Sequence, residues 1–169
     1  MILDKQEEFS DSQSIAQAAG NVISTNVYDT GLIQYPFDVA QSQASGAALS
    51  GTVSTRDLGI GEPIWLVVQM DVTLAGATAT LVVTLESSTV AALTSPTVHL
   101  TSATFTVGNA LLAAGQTLFA ALLPSGAYKQ FLGVRYTTAV ATTTAGSISA
   151  FLVRNIQKNV SYPAPYLVG

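Results

Sequence analysis

Residues 79–86 read Ala-Thr-Leu-Val-Val-Thr-Leu-Glu. Leu81, Val83 and Leu85 fall on one side of an extended chain, and Thr80, Thr84 and Glu86 on the other, because successive strand side chains point to opposite faces. The same alternation recurs at 131–136, where Leu132, Val134 and Tyr136 share a face and Arg135 takes the opposite one. Residues 64–68, Ile-Trp-Leu-Val-Val, are apolar on both faces and predict a central buried strand, with Trp65 in the core. Further strands are expected over 147–153, 22–28 and 98–107. Turn signals separate them at 29–31, 59–63, 75–76, 95–96, 124–126 and 145–146. Residues 109–123 also fit a helix, but Gly115 would weaken one by up to about 1 kcal/mol. A turn at 114–116 followed by a strand over 118–123 is preferred. Short strands between frequent turns predict an all-β protein, an antiparallel sandwich or barrel.

Composition narrows the function. One domain suits 169 residues, and a chain of this mass buries roughly 70% of its unfolded surface. Charged residues make up 9%, against about 25% in ordinary soluble domains. Mean hydropathy is +0.43, yet the longest apolar run, 109–123, is interrupted at Gly115-Gln116-Thr117 and falls short of the about 20 residues of a spanning helix. No membrane partner is expected. The opening Met-Ile-Leu-Asp-Lys-Gln-Glu-Glu lacks the basic-then-apolar pattern of a signal peptide. Net charge is −4, and Lys5, Arg56, Lys129, Arg135, Arg154 and Lys158 are scattered, so the basic footprint of nucleic-acid binding is missing. A surface this weakly charged has little electrostatic protection against association, which favours a protein that works in contact with partners.

Residues able to do chemistry are scarce. With no cysteine, disulfides, thiol catalysis and cysteine-ligated zinc are excluded. The single histidine, His99, would have to serve any Ser-His-Asp arrangement, and no G-x-S-x-G elbow accompanies it. A strand position facing solvent or an interface suits it better. No metal motif appears, and no cofactor is expected. Arg56, Asp57 and Glu62 stand out in the loop Ser-Thr-Arg-Asp-Leu-Gly-Ile-Gly-Glu-Pro at 54–63. A phosphate-binding glycine loop opens a helix, whereas this one runs through Pro63 into a strand, so it reads as a turn. Asp57 and Glu62 as a glycosidase pair are the weaker alternative to solvated turn acids. Exposed ion pairs contribute only about 0–1 kcal/mol, so the use expected of these charges is register and partner choice. Asn159-Val160-Ser161 matches a glycosylation sequon, a common coincidence.

The ends differ from the middle. Residues 1–21 carry Asp4, Lys5, Glu7, Glu8 and Asp11, and 10–19 would allow one or two helical turns. The chain closes on Ser-Tyr-Pro-Ala-Pro-Tyr-Leu-Val-Gly, in which Pro163 and Pro165 favour extended backbone. Tyr162 and Tyr166 are costly to leave wet, so docking arms are preferred over frayed ends. The division expected is an N-terminal arm (1–21), a β-sandwich (22–154) and a C-terminal arm (155–169).

Several blocks occur together in order: the opening 1–13, Asn26–Gly31, the Arg56–Asp71 block Arg-Asp-Leu-Gly-Ile-Gly-Glu-Pro-Ile-Trp-Leu-Val-Val-Gln-Met-Asp, Ser95-Pro96-Thr97, 131–136 and 147–153. From residue 1 to about 157 this set resembles the jelly-roll capsid cement, or decoration, proteins of tailed bacteriophages. The resemblance implies an antiparallel jelly-roll β-sandwich. It also implies a virion location on the outer capsid surface, reached from the host cytoplasm during assembly. Its partners would be the major capsid protein and further copies of itself, a homodimer first and a homotrimer second. Contacts are then expected from Asp4, Lys5, Glu7 and Glu8 in the N-terminal arm, from Arg56, Asp57 and Glu62 at a sandwich end, and from Tyr162, Pro163, Pro165 and Tyr166 in a C-terminal strap. A carbohydrate-binding jelly roll, receptor-binding or lectin-like, is the alternative. It would need an exposed aromatic platform, and Trp65 is the only tryptophan.

Overall fold

The computed structural model describes residues 7–30, the backbone of 56–57, and 63–156. These form antiparallel β-structure, two sheets packed face to face. In chain order the strands are β1 (Glu8–Ser14), β2 (Gly20–Ile23), β3 (Tyr28–Asp29), β4 (Arg56–Asp57), β5 (Trp65–Gly76) and β6 (Thr80–Ser88). They continue with β7 (Thr97–Thr101), β8 (Phe105–Thr106), β9 (Thr117–Leu122), β10 (Ala127–Tyr128), β11 (Phe131–Ala139) and β12 (Thr143–Val153). One sheet has the order β1-β12-β5-β9; the other runs β2-β11-β6-β7, with β3 on β11 and β8 on β6. A separate two-stranded ladder joins β10 to β4.

The alternating segments build the core as their pattern requires. Leu81, Val83 and Leu85 of β6 and Leu132, Val134 and Tyr136 of β11 are buried against Leu66, Val68 and Met70 of β5 and Ile148, Ala150 and Leu152 of β12. At about 25 cal/mol per Å² of apolar surface removed from water, this layer is the main source of stability. β11 and β6 pair without a slip from Phe131↔Ser88 to Ala139↔Thr80. Gly115 turns the chain with φ +79, and β9 follows it, in the place the sequence indicates.

Several expectations need correction. Residues 10–19 hold no helix: β1 pairs with β12, Phe9 and Ile15 enter the core, and the sandwich therefore begins at Glu8 within the segment assigned to an arm. The expected strand over 22–28 is two short ones. Ser24 interrupts it by donating to Asn26 O (2.8 Å) while accepting from Val134 N–H (3.1 Å). The strand over 98–107 likewise breaks after Thr101. Trp65 lies outside the main core. Position parity turns it to the opposite face of the sheet, where it is half-buried beside Val67, Phe151, Val153 and Ala120. The turn expected at 145–146 is instead a bulge inside β12. Gly146 has φ +144, and a Cβ there would meet Leu74 Cδ1 at 2.7 Å. The reversal falls at Val140, whose φ of +73 is unusual for a β-branched residue.

Candidate functional site

Among the residues singled out from the sequence, Glu7 and Glu8 lie where β1 starts, and Glu8 pairs with Phe151. Glu7 lines a cavity of about 100 Å³ with Tyr28, Ile64, Leu123, Leu152 and Arg154. Its lining is mostly apolar, with one acid and one base. Arg56 and Asp57 are β4, opposite Tyr128 and Ala127. They form a short strand pair, and the turn expected after them at 59–63 lies almost wholly outside the described residues. Asp4, Lys5, Glu62, Tyr162, Pro163, Pro165 and Tyr166 lie outside the described residues.

His99 sits on β7, stacked on the ring of Tyr128 at 4.0 Å and 28°. Its Nε2 is 2.6 Å from Ser87 Oγ. Lys129 N–H donates to the same oxygen at 3.1 Å. Burial, and then the nearby Lys129 charge, lowers the His99 pKa. Serine and histidine at this distance are the geometry of an activated nucleophile. Ser87, however, has no exposed surface, so its oxygen has no open side from which to attack a substrate. The pair fastens β6 to β7 and, through Tyr128, to β10.

Sequence reasoning missed a second pair. Arg135 Nε donates to Glu86 Oε2 at 2.8 Å, with side chains 17% and 5% exposed. Thr84 Oγ1 donates to Glu86 Oε1 at 2.8 Å, and Arg135 Nη2 donates to Leu93 O at 2.9 Å. All of this lies on the outward face of the second sheet, where Leu93 folds down over Gly133. Opposite charges at outward positions of two predicted strands were the available signal; the pairing of those strands was not. In the first sheet, Ser149 Oγ donates to Asp71 Oδ2 (2.5 Å) and accepts from Ser12 N–H (2.9 Å). Tyr136 OH meets Ser10 Oγ at 2.7 Å, and burial pushes the phenol pKa well up.

Among the described residues no three His, Cys, Asp or Glu gather as a metal group, and no helix is long and apolar enough to cross a membrane. The sequence model of the Bbp16 family matches residues 9–152, from the first core residue of β1 to the next-to-last residue of β12. The chain belongs to the Bbp16 family. The matched span covers nearly all of the described strands of the two sheets. No curated protein matches the chain.

Proposed function

We propose that this Bbp16-family protein is a structural capsid cement protein that binds the outside of a tailed-phage shell and staples neighbouring major capsid subunits. One observation carries the reading: three of the blocks that resemble cement proteins fall on central strands of the two packed sheets. Residues 65–71 lie in the first half of β5, 131–136 in β11 and 147–153 in β12. Membership of a family with a phage-like name supports the same setting.

The mechanism is mechanical. The sandwich is a rigid spacer, and two shell subunits held by it separate only when the cement contacts also break. Linking two such bodies makes the second contact effectively intramolecular and raises avidity by roughly 10²–10⁴. A homodimer on a two-fold position suits this arrangement, with a homotrimer second. Mixing the purified protein with shells that lack it, then measuring occupancy and resistance to heat or osmotic shock, tests the proposal. Saturable decoration with raised resistance is expected; shells that stay bare refute it.

A further inference from the structure

The two sides of the sandwich are finished differently. Beside β1 the sheets are stitched together: Gln13 Nε2 donates to Ile23 O at 2.8 Å, Thr25 N–H donates to Gln13 Oε1 at 2.9 Å, and Asn26 N–H donates to Phe9 O at 2.8 Å. β1 also carries Glu8 and Asp11, two register shifts, and Ser12 at φ +45. Charges and bulges of this kind are how natural sheets blunt an edge against pairing.

β9, at the other end of the same sheet, has one register shift, where its pairing passes from Val68 to Gln69, and otherwise none of these devices. It reads Thr-Leu-Phe-Ala-Ala-Leu, with no charge and no proline, and its pairing with β5 is regular from Trp65↔Leu122 to Val68↔Phe119. Leu123 N–H donates to Ile64 O at 2.9 Å. Bonded and non-bonded pairs alternate along an antiparallel ladder. Ala121 therefore also faces β5, and the N–H and C=O groups of Ala120 and Leu122 point away from it. Among the described residues, no strand or hydrogen bond meets that side.

We infer that the β9 edge is a strand-pairing surface and that its occupant is β9 of a second copy, antiparallel across a two-fold axis at Ala121. In this register Ala120 of each chain exchanges both backbone bonds with Leu122 of the other, four hydrogen bonds in all. Ala121 faces Ala121 at a non-bonded position, where Cα atoms approach to about 4.5 Å and a methyl group fits. Self-pairing needs a strand that does not repel itself, and β9 carries no charge. A stable interface buries about 1,600 Å² in total, more than two six-residue strands supply. Exposed apolar surface beside the strand adds to it: Leu122 is 48% exposed, and Leu111, on the 3-10 turn that packs against β9, is 39% exposed. The two four-stranded sheets then become one continuous sheet. This inference rests on the oligomeric part of the cement reading and names its contact.

Sedimentation equilibrium of the full chain tests it, with Leu122→Pro and Leu122→Lys beside the native protein. Proline is tolerated on an edge where the N–H has no partner, so Leu122→Pro removes a pairing donor and leaves the ladder to β5 intact. The native protein is expected at twice the 17.5 kDa chain mass, and both variants at the single-chain mass with cooperative melting. Should the proline variant not fold, the lysine variant carries the test. In hydrogen exchange the Ala120 amide is slow in the native protein and fast in both variants, the residue-122 amide is slow in the native protein and fast in Leu122→Lys, and those of Ala121 and Leu123 stay slow in all three. A native single-chain mass, a dimer that survives both substitutions, or protection of Ala120 and Leu122 only on shells overturns the inference. A monomer that still decorates shells leaves the cement reading standing, and a β9 dimer that ignores shells does the reverse.

Discussion

Replacing Arg135 with methionine tests the account of the second sheet. The substitution keeps most of the apolar stem and removes the guanidinium. Glu86 then stays buried with one partner, Thr84 Oγ1, on its other oxygen. Leu93 O loses its donor as well. Breaking a buried pair from one side costs about 3–5 kcal/mol, because a charge is left without compensation. Arg135 is 17% exposed and Thr84 remains, so the expected loss is at the low end, about 3 kcal/mol. That is a large share of the 5–15 kcal/mol that stabilises a typical domain, and it corresponds to a melting shift of roughly 6–12 °C at this length. Adding Glu86→Gln removes the stranded charge while an amide still bonds Thr84, so the double variant recovers about half the loss. The single Trp65 reports denaturant unfolding directly. A single-variant loss below about 1 kcal/mol, the value of a surface pair, would show that the protein does not treat this pair as buried.

Two further substitutions probe the backbone and the histidine. Gly146→Ala is expected to cost about 1–3 kcal/mol in chemical denaturation, since its Cβ meets Leu74 and Ile15 and its φ of +144 suits only glycine; an unchanged midpoint refutes the tight bulge. The folded pKa of His99 lies below its unfolded value of about 6.5, so the unfolded chain binds more protons as pH falls through that range. Stability from the neutral ring is therefore complete above about pH 6.5 and is lost on acidification. His99→Asn should flatten the melting temperature between pH 7.5 and pH 5, while equal slopes for native and variant refute the coupling.

The sequence was most legible where one physical rule acts alone. Leu81-Val83-Leu85 and Leu132-Val134-Tyr136 alternate without interruption, and β6 and β11 pair without a slip. Gly115 marked its turn because only glycine takes φ +79 at little cost. β1 was unreadable because two register shifts break its alternation, so neighbours Phe9 and Ser10 are both buried and Asp11 and Ser12 both exposed. The reversal at Val140 was hidden because a valine at φ +73 contradicts every turn preference, and the nearby Gly146 drew attention to the wrong place. Trp65 was misplaced because a strand apolar on both faces does not reveal which face meets the other sheet. Of the site residues, the His99–Ser87–Tyr128 group joins positions brought together by sheet pairing, which local patterns do not encode.

Among the described residues the first strand lies against the last, with β12 between β1 and β5. During synthesis β1 and β5 leave the ribosome long before the strand that separates them, so half of the sandwich stays open until residue 153 has emerged. Contacts this distant in sequence form late and leave apolar surface uncovered while they wait. A prematurely terminated chain lacks the middle of that sheet and leaves the facing core residues of β6 and β11 without β12 to cover them.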